Sequence, residues 1–389
     1  MLEWLVIGGG IHGTYLSRVL ARGGGMSRVR VLDPHEEPLA RWDACTDNVG
    51  MRFLRSSFVH HLGDDPYELK RFAEKRTDIE KKPFLGRYLR PSLRLFRAHT
   101  EQMIQRENLM ALRLRGAALA LFPQRGGMRV ETSQGSLETK RVLLALGASD
   151  QPHFPDFAQE LRARGAPVHH VFEPGFSRKN LKTFRHVVVV GGGISAAQTA
   201  LALAERQEGA VTLLSRSAPR VFAFDTSPGW MGPKHLDGFA TIANFDERRR
   251  VLRAARHPGS MPDDVVGLLR DAIKKGSIKH RIASVESGEF VDGEVRLALR
   301  DGSAPVVSDL VVLATGFEAR RPGGAWLDNA VHEMGLRCAA CGYPIVDSSL
   351  RWHQGIYVTG QLAELQLGPP ARNILGARLA AERLMKVAS

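Results

Sequence analysis

Leu5-Val6-Ile7-Gly8-Gly9-Gly10-Ile11-His12-Gly13 and, far downstream, Val187-Val188-Val189-Val190-Gly191-Gly192-Gly193-Ile194-Ser195-Ala196 are the two stretches on which the fold turns. Each is a short apolar run that meets glycines and then a helical spacing of apolar residues. That spacing is Tyr15, Leu16, Val19 and Leu20 in the first case, and Ala200, Leu201 and Leu203 in the second. The pattern predicts strand, glycine turn and helix in both places. Gly8 and Gly191 permit the tight turn. Gly10 and Gly193 let a pyrophosphate approach the backbone where the helix begins, at Ile11 and His12 or at Ser195. The third small residue, Gly13 or Ala196, lets helix and strand pack closely. One such turn is a weak signal; two in the same context are a strong one.

The next strands separate the two copies by charge. Twenty-three residues beyond Gly10 stands Asp33, and the same step from Gly193 reaches Arg216. Asp33 suits the two hydroxyls of an adenosine ribose, as FAD presents them. Arg216, with Ser215 and Arg220, suits a 2′-phosphate and so favours NADPH over NADH.

The repetition continues. Met128 to Ala148 reads as two strands around Gln134-Gly135-Ser136, closing on a buried run that reaches Gly147. Val295 to Phe317 reads as two strands around Asp301-Gly302-Ser303, closing on a run that reaches Gly316. A last strand, Gly355 to Gly360, leads through Gln361 and Asn373 into a helix lasting to Met385, whose N-terminus would face a flavin. The expected architecture is α/β: two Rossmann-like FAD/NAD(P)-binding domains, each with a β-meander. The NAD(P) domain (166–324) is inserted into an FAD domain made of 1–165 and 325–389.

Composition narrows the remaining classes. The 389-residue chain carries a net charge of +13, yet its basic residues are scattered. The one dense run, Arg248, Arg249, Arg250, Arg253 and Arg256, lacks aromatics for stacking bases and reads as a solvated helix face, not a nucleic-acid site. No basic-then-apolar leader and no membrane-length apolar run occurs, so the expected location is the cytoplasm, away from membranes.

The order of these features resembles that of flavoproteins with two dinucleotide-binding domains, over nearly the whole chain. In detail the chain is similar to the flavin monooxygenases, above all the lysine and ornithine N-hydroxylases. The resemblance rests on His169 or His170 ahead of the second glycine turn, Asp225-Thr226-Ser227-Pro228, Leu313-Ala314-Thr315-Gly316-Phe317, and Leu367-Gly368-Pro369. After Pro228 that family continues with Phe and an Asn-Glu pair, whereas this chain has Gly229-Trp230-Met231-Gly232. The resemblance implies an FAD- and NADPH-dependent oxidoreductase acting on a small molecule. The leading expectation is oxygenation of a nitrogen or sulfur centre through a C4a-hydroperoxyflavin. The alternatives are reduction of a quinone or disulfide, or a non-catalytic redox sensor.

Arg52 and Ser56, in the segment after Asp33 that wraps the flavin in related proteins, are expected as polar flavin contacts. His12 reads either as a hydrogen-bonding group beside phosphate or flavin or as an exposed turn residue. The pairs His60-His61 and His169-His170 lack carboxylate or cysteine partners at ligand spacing, so no metal site is expected there. Cys338 and Cys341 read as a loop pair in preference to a redox couple or a metal site with His332 or His353. No side chain stands out as an obligatory acid or base.

Overall fold

The computed structural model describes residues 1–76 and 78–388. The first sheet is built on β1 (Leu2–Ile7), β2 (Val29–Asp33), β3 (Arg113–Arg115), β4 (Ala118–Gln124), β5 (Gly127–Thr132) and β6 (Gly135–Leu144). The second contains β7 (Val168–His170), β8 (Val187–Val190), β9 (Val211–Ser215) and β10 (Ile278–Ile282), followed by a meander of β11 (Val285–Val291), β12 (Glu294–Leu299) and β13 (Val306–Ser308). Its closing strand is β14 (Leu310–Leu313), after which the chain returns to the first sheet as β15 (Arg351–His353) and β16 (Ile356–Val358).

The parallel core of the first sheet runs β3-β2-β1-β6-β16, and that of the second runs β10-β9-β8-β14-β7. The two orders correspond position for position. Val6 pairs with Val31 and Leu143, as Val189 pairs with Leu213 and Val312. Strands flanked on both sides and covered on both faces must be apolar throughout, which is why β8 is four valines. The fifth position is filled differently in the two sheets. In the first, β16 comes from the end of the chain; in the second, β7 precedes the glycine turn.

Both meanders form. In the first, β6 serves the antiparallel meander and the parallel core as one ten-residue strand. In the second, Asp309 separates β13 from β14, and its carboxylate accepts the backbone N–H groups of Arg185 and His186. Val295, Leu297 and Leu299 of β12 point into a core shared with Phe157, Ala158 and Leu161. The helix Asp156–Ala163 therefore belongs with the second sheet, and the crossover lies ahead of the boundary expected at 165.

The two linkers run side by side. Pro152 and Phe317 form an antiparallel bridge, His153 N–H donates to the Gly316 carbonyl (2.9 Å), and Glu318 N–H donates to the Gln151 carbonyl (2.8 Å). Glycine at 316 is needed there, because its φ is +85°. No helix among the described residues is long and apolar enough to cross a membrane.

Candidate active site

The first glycine turn is an open cradle of the expected kind. Gly8 has φ +108°, and a Cβ there would lie 2.6 Å from the Ala145 carbonyl oxygen. A Cβ on Gly13 would lie 1.7 Å from the Gly8 oxygen. Around Gly10, by contrast, there is open space, and no side chain caps the helix Ile11–Gly24. Backbone donors with room in front of them at a helix start fit a pyrophosphate.

Asp33 closes one end of this turn. Its carboxylate accepts from Gly9 N–H at 2.6 Å and from His35 N–H at 2.8 Å. Arg113, nearly buried, stands 3.6 Å from it, held by the carbonyls of His35 and Glu36. Sequence reading missed Arg113, since only strand order brings β3 beside β2. Gly147, after β6, is exposed.

The second turn repeats the first. A Cβ on Gly191 would meet the Ala314 oxygen at 2.5 Å, and Gly193 caps the helix Ile194–Ala204 with no side-chain partner. Ser195 follows it, and Ala196 is fully buried against the strand. Arg216 is exposed and has no ion-pair partner among the described residues, so it is available to an anion. Ser215 is not equally free: its hydroxyl donates to the Ser217 carbonyl (2.9 Å) and contacts His280 Nε2 (2.8 Å).

His12 is neither solvent-facing nor idle. Its Nε2 lies 3.0 Å from the Asn373 carbonyl, so Nε2–H donates there, and Nδ1 accepts from the Thr359 hydroxyl at 2.9 Å. Burial pushes its pKa down to about 4 against the opposing effect of the Asn373 bond, which makes the ring neutral at physiological pH. Gly360, at φ +63°, lies against the ring. Gln361 turns away and donates to Tyr343 Oη at 2.6 Å.

Asn373 also lines a cleft of about 230 Å³ where three segments of chain converge. Arg55, Ser56 and His60 come from the segment after Asp33. Phe224, Asp225 and Met231 come from the inserted domain, and Asn373 and Leu375 from the return. Arg52 does not reach it; its side chain is exposed and ion-paired to Glu205. Arg55 crosses between the domains and donates to the carbonyls of Phe222, Ala223, Phe224 and Ser260 and to the Ser260 hydroxyl. The sequence shows His60 only as half of the pair His60-His61, and its place in the cleft is not legible there.

The arginine run is a correction. Arg250 and Arg253 are solvated, but Arg248 and Arg249 turn inward. Arg248 donates to the carbonyls of Ala240, Ile242 and Leu365. Arg249, Arg256 and Arg372 surround Glu364, whose side chain is fully buried. Burial pushes the Glu364 carboxyl up, but Arg372 and Arg249 outweigh it and hold it below its ordinary range. The helix faces the return segment because Glu364 recruits it; nothing in the local sequence shows that partner.

Cys338 and Cys341 sit in a tight hairpin where Ala339 pairs with Tyr343, and neither lines the cleft. Burial raises the Cys338 thiol. No group of three or more candidate ligands able to hold a metal ion occurs among the described residues.

Comparison with known proteins agrees with this arrangement. Among solved structures the chain is similar to the ornithine hydroxylase of Pseudomonas aeruginosa, at 20% identity and a TM-score of 0.78, covering 100% of this chain and 98% of that one. The ornithine N-hydroxylase of Kutzneria sp. 744 gives 15% and 0.78, with coverage of 100% and 99%. The bacillithiol disulfide reductase of Bacillus cereus gives 17% and 0.60, with 100% and 98%. At these identities the likeness is one of fold. A curated relative, an uncharacterised oxidoreductase, CzcO, of Bacillus velezensis, is 22% identical over 231 residues. That alignment takes in 59% of this chain and spans only 61% of the relative's length. The sequence signature of the pyridine nucleotide-disulphide oxidoreductases matches residues 2–382. The chain therefore belongs to the pyridine nucleotide-disulphide oxidoreductase family.

Proposed function

We propose that this chain binds FAD on the first glycine turn and NADPH on the second, and oxygenates a nitrogen or sulfur centre of a small molecule. For an amine the reaction balances as amine, dioxygen, NADPH and a proton giving hydroxylamine, NADP⁺ and water. Bound FAD would supply the redox chemistry, taking a hydride from NADPH and activating dioxygen.

The chain's own residues hold and shield. Gly10 and the Ile11–Gly24 helix start would receive the FAD pyrophosphate, with Asp33 at the ribose. Gly193 and Ser195 would receive that of NADPH, and Arg216 its 2′-phosphate. His12 ties the first turn to Asn373, and Asn373 lines the cleft, so cofactor site and cleft share one residue. That shared residue is the observation that carries the proposal. The reading gains support from the full-length likeness to hydroxylases and from the cysteine pair's position outside the cleft.

The test is oxygen tracing. FAD-loaded protein supplied with NADPH, ¹⁸O₂ and a panel of amines and sulfides should yield a product carrying one ¹⁸O. A colourless protein that takes up no FAD would overturn the reading. Rapid NADPH oxidation with quinone or disulfide acceptors and no ¹⁸O in any product would assign a reductase instead.

A further inference from the structure

The two parallel cores overlay strand pair by strand pair, and the overlay moves one position. Val6 lies opposite Val31 and Val189 opposite Leu213, so Val31 and Leu213 hold equivalent places. Gly8 N–H donates to the Leu32 carbonyl as Gly191 N–H does to that of Leu214. Gly116 N–H donates to the Asp33 carbonyl as Ala283 N–H does to that of Ser215. Ser215 is therefore the counterpart of Asp33. The step from β8 to β9 is one residue shorter than that from β1 to β2, so an equal count from the glycines ends beyond it, at Arg216.

The edge strands extend the correspondence to a second side chain. Val31 lies opposite Arg113 on β3, and Leu213 opposite His280 on β10. His280 thus stands where the first site has Arg113. Each reaches the side chain that ends the neighbouring strand: Arg113 comes within 3.6 Å of the Asp33 carboxylate, and His280 Nε2 within 2.8 Å of Ser215 Oγ. An ion pair in one copy is a neutral hydrogen bond in the other.

The direction of that bond follows from proton counting. Buried Ser215 has a single hydroxyl proton, and it goes to the Ser217 carbonyl at 2.9 Å. Oγ therefore accepts from His280 Nε2–H. Burial lowers the pKa of the half-buried His280 ring, which is a donor without a charge at physiological pH. With one side of Oγ filled by the ring, the hydroxyl proton is turned toward the Arg216-Ser217 backbone. A carboxylate at this place accepts ribose hydroxyls and repels a 2′-phosphate; a hydroxyl so aimed donates to one.

We propose that His280 is a positioning residue for nucleotide selection. Its ring holds the Ser215 hydroxyl where the first site holds a carboxylate, so that a 2′-phosphate is admitted there and meets Arg216. This rests on the reading that the second glycine turn receives NADPH.

The test needs no turnover. FAD-loaded protein is titrated calorimetrically with adenosine 2′,5′-bisphosphate and with adenosine 5′-monophosphate, which differ only in the 2′-phosphate. The wild type should prefer the bisphosphate by about tenfold or more. His280→Phe should weaken the bisphosphate about tenfold and the monophosphate less than about twofold. His280→Gln, whose Nε2 keeps an N–H donor, should return to within about threefold of the wild type. Ser215→Asp, which restores the first site's chemistry, should cost the bisphosphate about a hundredfold and spare the monophosphate.

Equal losses of both ligands in His280→Phe, or no loss of either, overturn the inference, as does failure of His280→Gln to recover. A Ser215→Asp chain that keeps the bisphosphate preference also overturns it. If the Ser215→Asp chain does not fold, the two His280 variants decide. A wild type indifferent to the 2′-phosphate removes the NADPH reading and this inference together. A wild-type preference that survives in His280→Phe removes the inference alone. The expected pattern without any oxygenated product leaves the role of His280 standing and removes the monooxygenase reading.

Discussion

His12 and Asn373, 361 residues apart in the chain, are joined by a 3.0 Å hydrogen bond from imidazole Nε2–H to a backbone carbonyl. With the second bond from the Thr359 hydroxyl, one neutral ring fastens the first glycine turn to the strand end and helix start that return from the far terminus. His12→Phe keeps the ring's bulk but strands two polar partners, at a cost of about 1–3 kcal/mol. FAD affinity should weaken on the order of tenfold, equivalent to about 1.4 kcal/mol. Equilibrium dialysis with fluorescence of the free flavin measures it, and unchanged affinity would remove His12 from the cofactor site.

Gly10 and Gly13 should fail in different ways. Gly13→Ala drives a methyl to 1.7 Å from the Gly8 oxygen, so helix and strand must separate. The expected result is several kcal/mol of destabilisation, roughly that of an overpacked core site or more. Gly10→Ala meets nothing, at φ −75°, and should fold with near-normal stability yet lose FAD, because its methyl occupies the phosphate's place. Denaturant melts of the apoproteins, alongside flavin retention, distinguish the two.

Arg216→Ala should weaken NADPH binding by about tenfold or more, the loss of a charge-assisted phosphate contact, and leave NADH almost unchanged. The exposed guanidinium, which has no ion pair among the described residues, can be removed without disturbing the core. Equal losses for both nucleotides would place the 2′-phosphate elsewhere.

Glu364→Gln leaves Arg249, Arg256 and Arg372 facing one another without their buried counter-charge. Removing one partner of a buried ionic cluster costs about 3–5 kcal/mol. A lowered Tm should therefore accompany it, whereas Arg250→Ala, on the solvated side of the same helix, should change stability by less than about 0.5 kcal/mol.

Acid should unfold the protein earlier than its carboxylates alone require. Burial holds His12, His60 and His170 down at about 4 and His61 at about 3. Unfolding releases each to an ordinary value near 6.5, so the unfolded chain binds more protons between those limits. The stability these neutral rings contribute is complete above pH 6.5 and falls as pH drops toward 4. By pH 5 each ring has lost on the order of 2 kcal/mol. Urea melts at pH 7 and pH 5 check the slope, and His61→Phe should flatten part of it.

The duplicated strand–turn–helix units were legible because the glycine positions and the offsets to Asp33 and Arg216 are local facts of backbone geometry. The insertion was legible too, from the lone strand after Gly355. Side-chain destinations set by tertiary packing were not. The direction of Arg249 depends on Glu364 and that of Arg248 partly on the Leu365 carbonyl, both more than a hundred residues away, and the reach of Arg113 depends on strand order. That Arg55 lines the cleft, and not Arg52, the expected flavin contact, could not be read from the segment alone, because its acceptors are carbonyls of Phe222 to Phe224.

The fifth place in each parallel core carries a consequence for how the molecule is made. β7 is synthesised before the strands it joins, so the inserted domain can close its sheet once β14 leaves the ribosome. The first sheet, begun at residue 2, waits for β16 at 356–358 and for the last helix, which packs on the helix Ile11–Gly24. Thr359 and Asn373, the anchors of His12, arrive with them. Nascent or C-terminally cleaved chains would thus carry a finished nucleotide domain and no flavin grip. Flavin capture on the first glycine turn would then come after the inserted sheet has closed.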